Sequence, residues 1–199
     1  AKGTSSRATK LVHGGVRYLA QGNIALVREA LHERTTLLRN APHLAQPLAF
    51  VMPSYRCWES PFYGVGLKMY DALAGSAGLG ATEFLGVQRT LQCLPTARPD
   101  GLKGGVKYWD GQFDDARLAL ALARTAARHG ALLVNYCAAR SLVHDAGKVS
   151  GVLCEDTETG KAYKIRARCV VNATGVWVDA LRQQDSEATH RPVRPIVAP

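Results

Sequence analysis

The sequence predicts an α/β fold with antiparallel structure inserted into it. Three observations point there. Apolar residues recur at helical spacing from Asn23 to Asn40. Helix and strand signals then alternate as far as His129. Finally, three strand candidates separated by tight turns lead into a strand-to-helix turn, Asn172-Ala173-Thr174-Gly175.

The opening stretch, Gly3 to Leu19, mixes hydroxyls, cations, a histidine and a glycine pair. Neither a core strand nor a surface helix needs that mixture. Gly14 and Gly15 let the backbone turn sharply or approach a ligand closely. Thr4, Ser5, Ser6 and Thr9 offer short hydrogen-bonding side chains, while Lys10 and Arg17 bring positive charge. The segment suits an anionic ligand; the alternative is a polar loop before an amphipathic helix.

From Asn23 to Asn40 the spacing predicts a helix, capped by Asn23 and ended by Pro42. Ile24, Val27, Leu31, Thr35 and Leu38 form its apolar stripe, with Arg28, Glu29, Glu33 and Arg34 on other faces. Pro47 to Tyr55 reads as a strand. Ser60-Pro61 opens a helix to about Ala74, with Pro61 in its first turn. Gly75-Ser76-Ala77-Gly78-Leu79-Gly80 follows as a connector, because its glycine spacing and its place after a helix differ from a dinucleotide fingerprint. Thr82 is expected to cap a helix running to about Leu94, stopped by Pro95.

Gly104 to Phe113 reads as a strand with Val106, Tyr108 and Gln112 on one face. Tyr108 and Asp110 are candidates for lining a substrate pocket. Asp114 and Asp115 start a helix to His129, since acidic residues favour a helix N-terminus. The broad apolar set of that helix, from Ala116 to Ala126, predicts that it is well buried. Ala131–Asn135, Ala138–His144, Val149–Glu155 and Lys161–Val171 are strand candidates, the last three forming an antiparallel meander through turns at 145–148 and 156–160. A helix is expected from near Trp177, and Gln183 to Pro199 reads as a connector.

Composition narrows the classes. The chain has 199 residues, 47% of them hydrophobic, enough for one sizeable core. No apolar run approaches the roughly 18 residues of a spanning helix. The polar start predicts no secretory signal. Five scattered cysteines with no C-x-x-C pair argue against a metal site and read as reduced core residues of a cytosolic protein. The net charge is +9, and residues 1–70 hold nine Lys/Arg against three Glu. Such a basic face suits phosphate or anionic lipid, whereas the basic-aromatic alternation of a nucleic-acid platform is missing, so no nucleic-acid partner is expected.

Thr4 to Leu19, TSSRATKLVHGGVRYL, resembles the loop that follows the first nucleotide-binding unit of FAD-dependent glycerol-3-phosphate dehydrogenases. Ala30-Leu31-His32-Glu33-Arg34 with Asn40-Ala41-Pro42-His43-Leu44, Asp114 to Leu118, and Val171 to Val178 resemble later segments of that family, in family order. The resemblance implies part of a glutathione-reductase-like FAD-binding domain, of the D-amino-acid-oxidase-like superfamily, with its antiparallel meander and part of a mixed substrate-binding domain. It divides the chain into a flavin-contacting loop and helix (1–45), part of the substrate region (46–113), a second FAD-domain part (114–182) and a connector (183–199).

For the site, the resemblance implies flavin contacts at Thr4, Ser5, Ser6, Lys10, Leu11, His13, Gly14, Gly15, Ala138, Ala173, Thr174 and Gly175. His13 either polarises the flavin or holds the glycine turn. Arg17 and Tyr18 are assigned to substrate, Arg17 because a guanidinium grips phosphate in a two-pronged fork. A surface salt bridge is the alternative for Arg17, and a core position for Tyr18. The base is not assigned.

The implied reaction is oxidation of sn-glycerol 3-phosphate to dihydroxyacetone phosphate, with FAD as cofactor and quinone as electron acceptor. The implied location is cytoplasmic, peripheral on the anionic inner face of the cell membrane; a homodimer is among the assemblies allowed. The family's G-x-G-x-x-G turn would precede Ala1 and further basic residues would follow Pro199. The chain is therefore expected to be the middle of an enzyme and inactive alone. Two alternatives remain: a non-catalytic basic module docking on lipid or an acidic partner, and a related flavoenzyme of an amine or another hydroxy acid.

Overall fold

A computed structural model describes residues 3–19 and 21–189. The chain divides into two units, Ala1–Gly130 and Ala131–Pro199. The tail read as a connector lies outside the described residues from 190 onward.

The first unit begins with a short helix α1 (Thr4–Arg7), a two-residue strand β1 (Leu11–Val12) and a helical turn α2 (Val16–Leu19). Helix α3 (Ile24–Asn40) follows, and the Asn23 side chain accepts from the Leu26 N–H as its cap. Strand β2 (Ala45–Ser54), helix α4 (Glu59–Ala74), strand β3 (Glu83–Leu85), helix α5 (Val87–Cys93), strand β4 (Gly104–Phe113) and helix α6 (Asp115–Arg128) complete it. β4 organises the sheet. It pairs antiparallel with β2 along its whole length, from Ala45↔Phe113 to Ser54↔Gly104. Its other edge holds β1, at Leu11↔Gln112 and Val12↔Gly111, and β3, from Glu83↔Lys107 to Leu85↔Gly105.

The core of this unit joins Leu19, Val27, Leu31, Tyr70 and Ala74. Val27 and Leu31 come from α3, Tyr70 and Ala74 from α4. Arg34 shares their face and is 1% exposed, so its expected place on a solvated face is corrected. Seven positions separate Val27 from Arg34, two helical turns, which returns Arg34 to the buried stripe.

Two further expectations are corrected here. Residues 83–85 form a strand, not the first turn of a helix, because β4 offers them a ladder at Gly105–Lys107. The helix expected from Thr82 begins only at Val87, with Gly86 as its N-cap. Helix α6 starts where expected, with the Asp114 carboxylate accepting from the Arg117 N–H, but it has no buried residue and leaves Leu120 and Leu122 exposed. Much of its apolar character is alanine, and within its unit it packs on the four-residue α1.

The second unit is the expected meander. Strands β5 (Cys137–Asp145), β6 (Lys148–Asp156) and β7 (Ala162–Arg166) pair antiparallel in that order. The β5–β6 turn places Ala146 and Gly147 at φ 49° and 76°, the left-handed pair that a two-residue hairpin requires. A 3-10 turn (Gly175–Trp177) and helix α7 (Val178–Thr189) end the described chain, so residues 183–189 are helical rather than connector. His144 Nε2 on β5 lies 2.8 Å from Asp185 Oδ1 on α7. Residues 131–135 and 168–171 are not strands: no partner strand flanks them among the described residues, and Leu132, Val134 and Val171 are exposed. All five cysteines are free, but Cys57, Cys93 and Cys169 are exposed rather than core.

Candidate functional site

The glycine turn of the first unit is held from below by a buried charge cluster. Lys10, at φ 60°, accepts the Phe113 N–H on its carbonyl (3.0 Å) and leads into β1. The chain then turns through His13, Gly14 and Gly15 into α2. The Gly14 N–H donates to Asp110 Oδ1 (3.3 Å). Gly15 sits at φ 76°, in the left-handed region, and its carbonyl accepts from the Tyr18 N–H (2.8 Å). A Cβ on Gly14 would collide with the Tyr70 hydroxyl and lie 2.6 Å from Leu31 Cδ2. Glycine is therefore required at both positions, for space at one and for conformation at the other.

Asp110 is the centre of the cluster. Its Oδ1 accepts from Arg34 Nη1 (2.9 Å), from the Gly14 N–H and from its neighbour Gly111 (3.0 Å). Its Oδ2 accepts from the Tyr70 hydroxyl (3.4 Å). That hydroxyl in turn accepts from Arg34 Nη1 (3.1 Å), and Arg34 Nη2 donates to the Ala77 carbonyl (3.0 Å). Both charges of the pair are almost wholly removed from water. Burial, reinforced by the Asp110 charge, pushes the Tyr70 hydroxyl far above its ordinary pKa, so it stays protonated and able to donate. Burial and the same carboxylate also raise Tyr108.

This geometry corrects the reading of Asp110 as pocket lining. Its Oδ1 is committed to three inward donors, and the residue is 2% exposed. Arg34, Tyr70 and Asp110 are the residues that the sequence reading missed as a group. The available signals were an arginine on the apolar stripe of α3, and an aspartate two residues from Tyr108 on a buried strand face.

Above the cluster the loop presents polar atoms. Thr4, Ser6, Lys10 and His13 are exposed; Ser5 and Leu11 are half-buried. Ser6 Oγ donates to the Gly3 carbonyl within α1 (3.1 Å). Tyr18 is 40% exposed, with its ring against Gly15, so it is not a core residue. Arg17 belongs to α2, and its side chain lies outside the described part of the structure. Lys10 also lines an open groove of about 320 Å³ with His43, Gln46, Gln112 and Asp114.

In the second unit, Asn172 organises the other candidate turn. Its Oδ1 accepts from Thr174 Oγ1 (2.8 Å) and the Thr174 N–H (3.4 Å), while Nδ2 donates to the Val178 carbonyl (3.1 Å). Ala173, Thr174 and Gly175 are exposed; Gly175 is at φ 62° with nothing within 4 Å of where a Cβ would stand. Backbone is thus open to a ligand there. Ala138 is half-buried on β5, opposite Glu155. Leu11 to Tyr18 thus gather in one unit, and Ala138 with Ala173 to Gly175 belong to the other. Among the described residues, no group of three or more His, Cys, Asp or Glu is placed to hold a metal ion.

Comparison with known proteins gives this arrangement a context. The family model described as FAD dependent oxidoreductase matches residues 1–198. Mitochondrial glycerol-3-phosphate dehydrogenase of Rattus norvegicus is 47% identical over 198 residues, covering 93% of this chain and 27% of that protein. Its Saccharomyces cerevisiae counterpart is 41% identical, covering 98% of this chain and 32% of that protein. The crystal structure of glycerol-3-phosphate dehydrogenase from Bacillus halodurans, complexed with FAD, superimposes with a TM-score of 0.66 at 36% identity, covering 92% of this chain and 29% of that one. The chain thus spans between a quarter and a third of the length of these relatives. The mixed α/β architecture with antiparallel sheets matches the FAD-binding fold of these neighbours.

Proposed function

The chain belongs to the FAD dependent oxidoreductase family, and on that premise we propose that this protein serves the oxidation of sn-glycerol 3-phosphate to dihydroxyacetone phosphate. The supporting observation is the 47% identity to a glycerol-3-phosphate dehydrogenase over 93% of this chain. When bound, FAD supplies the acceptor for the hydride that leaves C2 of the substrate. The residues present fit such a ligand: the loop from Thr4 to His13 exposes hydroxyls and a cation, and the backbone at Gly175 is open. Thr4, Ser5, Ser6, Lys10, Leu11, His13, Gly14, Gly15, Ala138, Ala173, Thr174 and Gly175 are the residues we assign to flavin contact. Arg17 would bind the substrate phosphate, with Tyr18 beside it.

Peripheral attachment to the anionic inner face of a membrane, with quinone as the electron acceptor, belongs to the same reading. The solvent side of α4 supports the attachment. Trp58, Phe62, Val65 and Met69 follow one another at helical spacing and are 53%, 67%, 70% and 48% exposed, with Arg56 and Lys68 alongside. No helix among the described residues is long and apolar enough to cross a membrane.

The test is anaerobic titration of the FAD-loaded full-length protein that carries this chain, followed by visible absorption. Glycerol 3-phosphate should bleach the flavin band and glycerol should bleach it far less. Bleaching by an amine or another hydroxy acid instead would redirect the substrate assignment. No bleaching by any of them would favour a docking module.

A further inference from the structure

A buried ion pair is a costly way to fill a core, since apolar residues of similar volume are often as stabilising or more so. Arg34 and Asp110 therefore call for a reason beyond stability, and the hydrogen bonds supply one. Among Asp110's partners, Arg34 and Tyr70 lie within the core and Gly111 is its chain neighbour; the Gly14 N–H belongs to the turn. That turn has no side chain of its own to lock it. Gly14 and Gly15 have the widest conformational choice in the chain, and β1 before them has only two residues of ladder. The Asp110 carboxylate is fixed in its turn by Arg34, which reaches across from α3 and is itself tied to the Ala77 carbonyl.

We infer that Arg34 and Asp110, bridged by Tyr70, are positioning residues that hold the Gly14–Gly15 turn in its ligand-ready conformation, and that stability is their lesser role. The ligand in question rests on the FAD reading above. The predicted signature is a separation of two properties that a purely structural pair would lose or keep together. Replacing both charges with leucine removes the desolvation cost and can retain the fold. It also removes the acceptor for the Gly14 N–H, so the turn should loosen.

The experiment compares the full-length wild-type protein that carries this chain with R34L/D110L and D110N, each with and without FAD. It measures thermal midpoint, hydrogen exchange of peptides covering residues 11–19 and 148–166, FAD affinity and visible circular dichroism of the bound flavin. In R34L/D110L we expect a midpoint near wild type and unchanged exchange in 148–166. We also expect at least tenfold faster exchange in 11–19, at least tenfold weaker FAD binding and an altered flavin dichroism band. D110N keeps an acceptor but loses the charge that holds Arg34, and should speed exchange in 11–19 at least threefold. Wild-type exchange and FAD binding in a folded R34L/D110L would overturn the inference. If that variant does not fold, unchanged exchange in D110N would overturn it equally. Should the wild-type protein bind no FAD, the functional reading fails, while exchange in the flavin-free proteins still decides whether the turn depends on the pair.

Discussion

Arg34 Nη1 and Asp110 Oδ1 stand 2.9 Å apart, joining a helix and a strand across 76 residues of sequence, with both side chains almost fully buried. Removing one member leaves the other charged and unpaired in the interior. Arg34→Met or Asp110→Ala alone should therefore cost about 3–5 kcal/mol of stability. Arg34→Met with Asp110→Leu should recover most of that loss. Denaturant unfolding of the three variants checks this, and additive losses in the double variant would contradict it.

Gly14→Ala should also destabilise. The added methyl would press on the Tyr70 hydroxyl and on Leu31, both held in a packed core. Overpacking of this kind costs about 1–3 kcal/mol. Tyr70→Phe in the same chain should relieve part of the clash, so the pair of changes should be less than additive in melting experiments.

In the full-length enzyme, Arg17→Ala is expected to weaken catalysis on glycerol 3-phosphate selectively. Hydrogen bonds to charged groups contribute about 1.5–3 kcal/mol, which corresponds to a loss of roughly 10- to 150-fold in kcat/KM. Arg17→Lys should recover only part of it, because an ammonium cannot make the two-pronged contact. Flavin content should stay near wild type and activity on glycerol should fall much less. Equal proportional losses on both substrates would move Arg17 from phosphate binding to a role in the loop.

The turn after β6 should open in acid. The Thr159 hydroxyl (2.6 Å), with the Glu158 and Thr159 N–H groups, holds the Asp156 carboxyl below its ordinary pKa. A lowered folded-state pKa means that the stabilising contribution is complete above the ordinary aspartate value of about 3.9. It disappears as pH falls through the lower folded value. Carbon-detected NMR titration of Asp156 should show the low midpoint, and Thr159→Val should raise it. A midpoint unmoved by Thr159→Val would refute the cause.

Membrane attachment should depend on both parts of the α4 surface. Basic residues near anionic lipid contribute about 1 kcal/mol each, so R56A/K68A should weaken binding to anionic vesicles roughly 30-fold at low salt. Phe62→Ser should weaken binding to neutral and anionic vesicles alike, since it removes apolar area without changing charge. Sedimentation across a salt series separates the two. Equal binding of wild type to neutral and anionic vesicles at every salt concentration would exclude the charge contribution.

Elements governed by local chemistry were legible before the fold was seen. Asn23 caps α3 through a bond three residues away, and the meander turns carry Gly147 and Gly160 where positive φ is needed. β3 was not legible, because its three residues are a strand only through a partner about twenty positions later. Thr82 and Glu83 look locally like a helix start, and the ladder to β4 overrides that preference. The exposure of α6 was likewise hidden: periodicity marks an apolar face but not what covers it. At the site, the loop's composition drew attention to the turn. What holds the turn did not show, because Gly14 and Asp110 are 96 residues apart.

That separation also sets a timetable. β1, β2 and β3 all find their ladder partner in β4, which is translated after every one of them. At about 5–20 residues per second, Gly14 waits roughly 5–20 s for Asp110 to emerge from the ribosome. The glycine turn thus lacks its carboxylate partner until 96 further residues have been made. Until β4 is made, the ten residues of β2 have no ladder partner. A translational pause between these points would lengthen that interval, whereas a pause after Phe113 would come once the sheet can close.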